Sequence, residues 1–297
     1  MINFLYCIDE NYNLQCYLSI KSLIKNSSNN IRVHIIHQKP ESFNNYRALL
    51  KDKILDLSVH RFNGSSSKFV SLNEHITEAS YYRLFFDDYL PEEVEKIVYI
   101  DADAFAINSF QKAVDETFIK LSKKNLILAA LDVKNYNNNT NFKPYFNAGV
   151  LFINRKKWSE ENIQQKLESL LSTKEKLEYH DQDLLNICFG DNFLNINEAL
   201  NVHISLDDNY MKRHKTYLSD FAIFIHYVGK TKPWHRKAMF KLNAVFYHNL
   251  IIEFNKGNLE HPPIIFRKRV NFIFKNFLKI FFSRKIIYYV KNIFSLI

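Results

Sequence analysis

KIVYIDADAFAI, residues Lys96 to Ile107, runs from the apolar stretch Ile97-Val98-Tyr99-Ile100 straight into two aspartates one residue apart. A short run rich in β-branched and aromatic residues reads as a buried strand. Aspartate is a common loop residue, so Asp101 and Asp103 can mark nothing more than a polar strand end. The alternative is that they stand at the carboxyl end of a strand in an open α/β sheet, where ligands characteristically bind. Extended alternation would aim both side chains to one side. Converging carboxylates repel unless a positive charge lies between them, and a divalent cation holding a diphosphate fits that need. On this reading, replacing either aspartate by Asn slightly raises the melting temperature of the metal-free protein.

Outward from that stretch the chain alternates strand-like and helix-like segments. Strands are predicted over Ile2–Ile8, Ile31–Ile36, Ile54–Phe62 and Lys96–Ile100, with helices over Leu14–Ile24 and Phe43–Leu50 and around Glu78–Tyr89. Beyond them, strands are predicted over Leu126–Leu131, within Tyr145–Asn154, and near Phe193–Ile196 and Ala222–His226. Helices are predicted over Glu160–Leu171 and Gln182–Cys188. Such alternation implies an α/β fold with a Rossmann-like, mainly parallel central sheet. The Asn-rich segment NYNNNTN reads as a loop, and no GxGxxG or GxxxxGK[ST] phosphate loop occurs.

The 297 residues suit one large domain or one domain plus a smaller annex, and 47% hydrophobic residues supply ample core. Cys7, Cys16 and Cys188 form neither a disulfide framework nor a zinc pattern. The start MINFLYCIDENY reads as a first strand and lacks the marks of a signal peptide, which gives a cytoplasmic expectation. After Glu260 the chain has no acidic residue but eight basic ones, so nearly all of the net charge of +9 lies there and residues 1–260 are close to neutral. Interleaved with Phe and Tyr, these bases predict a short basic helical tail over 261–297 that lies on an anionic membrane surface. No nucleic-acid partner is expected.

Six stretches recur in a telling order: CIDENY, SYYRL, YIDADAF, YFNAGVLFIN, HDQDLLN and HYVGKTKPWH. Together they resemble glycosyltransferase family 8, most closely bacterial members that transfer galactose or glucose from UDP-sugars onto lipooligosaccharide. The resemblance runs from about residue 2 to 240 and implies a single GT-A-type domain over 1–260. It implies that Cys7, Ile8, Asp9, Asn11 and Tyr12 line the uridine site, with Arg83 reaching the sugar nucleotide and the active-site carboxylates. Asp101, Asp103 and His226 would hold the metal, Mn²⁺ or alternatively Mg²⁺, and Ala102, Gly229 and Lys232 would contact the donor at or near its pyrophosphate. Asp181 and Gln182 would face the donor sugar, Gln182 beneath its anomeric carbon, while Asp132, Asn147 and Ala148 complete the sugar pocket. His75 matches a position near donor or acceptor, though a surface histidine reads the same way. Trp158 and Trp234 read as packing residues, and the acceptor side falls on the Asn-rich loop and residues 203–217.

The resemblance also implies a retaining transfer of galactose or glucose from UDP-galactose or UDP-glucose to a saccharide acceptor, at the inner face of the cytoplasmic membrane. Retention through a covalent intermediate needs a carboxylate below the anomeric carbon. Gln182 is an amide, which favours front-face substitution. Other readings remain open: a UDP-sugar hydrolase or self-glucosylating protein on the same scaffold, or a non-catalytic binding module driven by the basic tail.

Overall fold

The computed structural model describes residues 1–64, 78–121, 126–132, 144–173, 177, 179–190, 192–207, 220–238 and 241–254. The Asn-rich loop, His75 and the basic tail lie outside the described residues. Two compact units divide the chain, Met1–Lys232 and Pro233–Ile297.

In the first unit the main sheet is built from β1 (Ile2–Ile8), β2 (Ile31–His37), β3 (Leu55–Arg61), β4 (Lys96–Ile100), β6 (Ile127–Leu131), β7 (Phe146–Asn154) and β8 (Leu194–Asn195). Their spatial order is β3-β2-β1-β4-β7-β6-β8. Only β7 runs against its neighbours, so the sheet is mainly parallel, as the alternating pattern implied. Near-continuous apolar strands such as Ile97–Ile100 follow from this, since both faces of a parallel sheet are covered. The helices Asn13–Asn26, Gln111–Leu121, Ile163–Ser172 and Asp181–Phe189 belong to the same unit.

A second, three-stranded sheet combines β5 (Ala104–Ala106), β10 (Phe224–Val228) and β9 (Val202–Ser205) in the order β5-β10-β9. Neither β5 nor β9 is visible as a periodic pattern, because three or four residues cannot display one. The segment predicted as a helix around Glu78–Tyr89 is an 11-residue 3₁₀ helix, Glu78–Asp88. With three residues per turn, Tyr82 and Phe85 align and both meet Phe62, at centroid distances of 3.8 and 6.1 Å. The predicted helix Glu160–Leu171 is two helices, Arg155–Glu160 and Ile163–Ser172, separated at Asn162, which takes a left-handed conformation (φ 53°). Trp158 is buried between Phe86 and Phe189, a packing role as expected.

In the second unit, the helix Val245–Phe254 packs Tyr247 on Trp234 at 5.4 Å, and His248 Nε2 donates to the Pro233 carbonyl at 2.9 Å. No helix among the described residues is long and apolar enough to cross a membrane.

Candidate active site

The strand order reverses beside β1: the chain leaves β1 toward β2 on one side, and β4 pairs on the other. A crevice at the carboxyl ends of the two strands is the expected ligand site of such a sheet. Cys7 and Ile8 end β1, and Asp9, Asn11 and Tyr12 follow it. Asp9 Oδ1 accepts from the Asn11 N–H at 2.9 Å and so caps the turn that presents Tyr12. Burial, reinforced by the negative charge of Asp103 and Asp101, holds the Tyr12 hydroxyl above its ordinary range. Burial likewise pushes up the Cys7 thiol, leaving it a neutral lining group.

At the end of β4 the chain turns out of the main sheet into β5. The Ala104 N–H donates to the Asp101 carbonyl at 3.0 Å and the Tyr227 N–H to the Asp103 carbonyl at 3.1 Å. Asp101 to Asp103 is therefore a corner between two sheets. Strand alternation does not bring the two carboxylates together, because the backbone there is a turn. They are brought together by this corner and by β10, whose His226 pairs with Ala104. His226 Nε2 stands 3.3 Å from Asp103 Oδ1 and 3.7 Å from Asp101 Oδ2. One ligand atom from each of the three residues falls within a 4.8 Å cluster. Asp103 Oδ1 is buried and has no hydrogen-bond partner among the described residues. Behind the imidazole, Nδ1 faces Asn201 Oδ1 at 3.2 Å, which leaves Nε2 directed at the carboxylates. Two carboxylates and one imidazole suit a divalent cation, and the nitrogen favours Mn²⁺ over Mg²⁺.

Space for the ring is made by Gly149. A Cβ there would lie 2.1 Å from the imidazole Cε1 of His226. The β6–β7 register shifts in this region: Ala129 pairs with Leu151 but Leu131 with Phe146, so Asn147 to Gly149 are released from the ladder. Their backbone groups then serve the site. Gly149 O accepts from the Asp101 N–H at 2.8 Å, Ala148 O from Arg83, and the Ala148 N–H donates to Gln182 Oε1 at 3.0 Å.

Each aspartate already holds a cation. Arg83 donates to Asp101 Oδ1 (2.9 Å), pairs with Asp181 Oδ2 (3.0 Å), donates to the Ser80 and Ala148 carbonyls, and lies over the Tyr99 ring at 4.2 Å. Burial works against its charge, but Asp101 and Asp181 outweigh burial and hold the guanidinium above its ordinary pKa. Lys232 Nζ donates to Asp103 Oδ2 at 2.7 Å and to the Tyr227 carbonyl at 2.6 Å. Burial pushes Asp103 up, yet Lys232 and His226 prevail and hold it well below the carboxylate range. The expectation that an Asn substitution relieves repulsion and raises metal-free stability is thereby corrected, since it would remove one of the two carboxylates paired with Arg83 or the carboxylate paired with Lys232. Lys232 is delivered by a loop wrapped on Asp207, whose Oδ2 accepts from the Lys230 and Thr231 N–H groups at 3.0 and 3.3 Å. Gly229 takes φ +89° there, and a Cβ would meet Asp207 Oδ2 at 2.7 Å.

The HDQD stretch opens the helix Asp181–Phe189. His180 precedes it at φ 51° and ψ −116°, a conformation that costs about 1–3 kcal/mol for a non-glycine residue. Asp181 is buried, and burial pushes its carboxyl up to about 6 against the pull of Arg83. Both ends of the Gln182 amide are engaged. Its Oε1 accepts from Asn147 Nδ2 and the Ala148 N–H, and its Nε2 donates to Asp132 Oδ2 (3.4 Å) and Tyr145 Oη (3.3 Å). Asp132, Asn147, Ala148, Asp181 and Gln182 are thus contiguous, and Arg83 joins them to Asp101. Ala102 is buried at the corner. Sequence reasoning missed Tyr99, which donates to Asp101 Oδ1 at 2.5 Å, Tyr145, Gly149, Asn201 and Asp207. A lone glycine inside the apolar run Phe146–Asn154 was a usable signal for close approach; the others carry none.

The sequence model of glycosyl transferase family 8 matches residues 3–238. The lipopolysaccharide 1,3-galactosyltransferase of Salmonella typhimurium is 26% identical over 264 residues, covering 82% of this chain and 76% of the relative. A lipopolysaccharide 1,2-glucosyltransferase of Escherichia coli is 27% identical over 263 residues, with the same coverages. Among solved structures, galactosyltransferase LgtC in complex with donor and acceptor sugar analogues shares the fold at TM-score 0.68, with 24% identity over 90% of this chain and 100% of that one.

Proposed function

Because this chain belongs to glycosyltransferase family 8, we propose that it moves galactose or glucose from a UDP-sugar to a saccharide acceptor, with retention of anomeric configuration, in surface-glycan synthesis. One observation carries the reading: two carboxylates and an imidazole nitrogen converge at the carboxyl end of β4, beside the strand-order reversal. Asp101, Asp103 and His226 would hold a divalent cation, best Mn²⁺. Once bound, the cation supplies Lewis-acid stabilisation of negative charge on a nucleoside diphosphate, worth several kcal/mol of barrier. Lys232 adds a positive charge from the protein on the same side. Tyr12, Asn11 and Asp9 offer a ring face and polar edges to a uracil.

Gln182 acts by position. With its oxygen held by two donors and its NH₂ on Asp132 and Tyr145, the amide is a fixed dipole beside the sugar pocket and a poor nucleophile. This fits the front-face substitution that the family resemblance implies, and Gln182→Ala is expected to slow transfer without abolishing it. The basic, aromatic segment 261–297 would hold the enzyme on an anionic membrane where lipid-linked acceptors reside.

The test is a transfer assay with UDP-galactose and UDP-glucose against a rough lipopolysaccharide acceptor, with product linkage read by NMR. An α-linked, Mn²⁺-dependent product is expected. A β-linked product contradicts retention, and free sugar formed equally with and without acceptor makes the protein a hydrolase.

A further inference from the structure

His226 can be a metal ligand through Nε2 only if its other nitrogen carries the proton. That choice is made two residues away. The Gly149 N–H, a backbone donor that cannot flip, donates to Asn147 Oδ1 at 3.0 Å. This identifies the oxygen end of Asn147. Asn201 Nδ2 donates to the same oxygen at 3.0 Å, so Asn201 must turn its own Oδ1 the other way, onto His226 Nδ1 at 3.2 Å. An amide oxygen only accepts, and Nδ1 must therefore be the N–H. The opposite tautomer would require Asn201 to flip, setting its oxygen against that of Asn147. Asn201 and Asn147 are 3% and 7% exposed, which leaves little room for water to repair such a clash.

We infer that Asn201 is a positioning residue that holds His226 in its Nδ1–H tautomer and thereby aims the Nε2 lone pair between Asp101 and Asp103. The inference rests on the proposed metal reading and deepens it. The same Asn147 donates to Gln182 Oε1, so one backbone N–H sets the orientation of side chains in both the metal cluster and the sugar pocket. Ligating histidines characteristically depend on such a partner on their second nitrogen.

The test uses the full chain labelled with ¹⁵N-histidine, without metal, titrated from the doubly protonated imidazolium, in which the Nε2–H faces Asp103 Oδ1 at 3.3 Å, until one proton has left the ring. The wild-type spectrum is expected to show His226 as Nδ1–H. In Asn201→Leu, which keeps the branched shape in a somewhat larger side chain and removes both hydrogen bonds, a mixture of tautomers is expected. Affinity for Mn²⁺ alone, by calorimetry, should fall about 10- to 100-fold. An Nε2–H signal in the wild type overturns the inference without recourse to any variant. So does an Asn201→Leu protein that folds, keeps the Nδ1–H form and binds Mn²⁺ as the wild type does. A wild-type protein that shows Nδ1–H yet binds no Mn²⁺ refutes the metal reading while upholding the role of Asn201.

Discussion

At Gly149 a single methyl group decides whether the metal cluster can assemble, because it would occupy the place of the His226 ring. Gly149→Ala is expected to lower Mn²⁺ affinity at least tenfold and to reduce the melting temperature, since the ring or β7 must shift. Wild-type affinity in that variant would mean that His226 is not where the metal binds. At the aspartates the expected outcome has two parts. Asp101→Asn and Asp103→Asn should each cut metal-dependent transfer by orders of magnitude. Each should also lower metal-free stability, because Arg83 loses one of its two carboxylate partners, keeping Asp181, or Lys232 loses its pairing with Asp103. Thermal unfolding with chelator present checks the second part, and a rise in melting temperature would restore simple carboxylate repulsion.

Among the elements, the 3₁₀ helix Glu78–Asp88 links core to site. Its Arg83 reaches Asp101 and Asp181, while the carbonyls near its end are gathered by Arg155, which donates to Asp87 O (3.0 Å), Leu90 O (2.8 Å) and Pro91 O, and pairs with Asp87 Oδ1 (2.5 Å). Arg155→Met should cost about 3 kcal/mol, read by denaturant unfolding, by leaving these groups unpaired. A change below about 0.5 kcal/mol would show that water replaces the guanidinium. The alternating strands were legible because burial on both faces makes a parallel strand a continuous apolar run, as in β4. Asp101 was legible as the residue that ends such a run, whereas Asp103 and His226 joined it only through the ordered motifs that resemble the family, because a histidine closing the run Ala222–His226 reads equally as a core residue. Asn201 was not: a polar residue in the turn before a four-residue strand has no periodicity, and its importance exists only once β9 lies beside β10. Nor was the corner after β4, since its backbone turns where alternation assumed extension.

For the whole molecule, pH and surface charge give separate readouts. Burial pushes His34 down to about 4, and His60, stacked on it, is lowered too. Burial also pushes His203 down to about 3. With an unfolded histidine near 6.5, the unfolded chain takes up protons that the native protein refuses, so stability is fully present above about pH 6.5 and is lost as pH falls toward 4. Asp181, raised to about 6, works the other way between pH 6 and 4, but it is one carboxyl against these rings. The melting temperature should therefore fall from pH 7.5 to 5, and less steeply in His34→Gln. An unchanged slope would mean that His34 binds its proton in the folded state. The charged segment 261–297 should sediment with anionic vesicles in a salt-sensitive manner, and equal binding to neutral vesicles would remove the electrostatic contribution. The most direct measurement at this scale is calorimetric titration of UDP into the full chain with Mn²⁺ and with chelator. UDP should bind at least tenfold more tightly with Mn²⁺, and Asp103→Asn should abolish the difference. Identical UDP affinity in wild type with and without the metal would contradict a cation held by Asp101, Asp103 and His226.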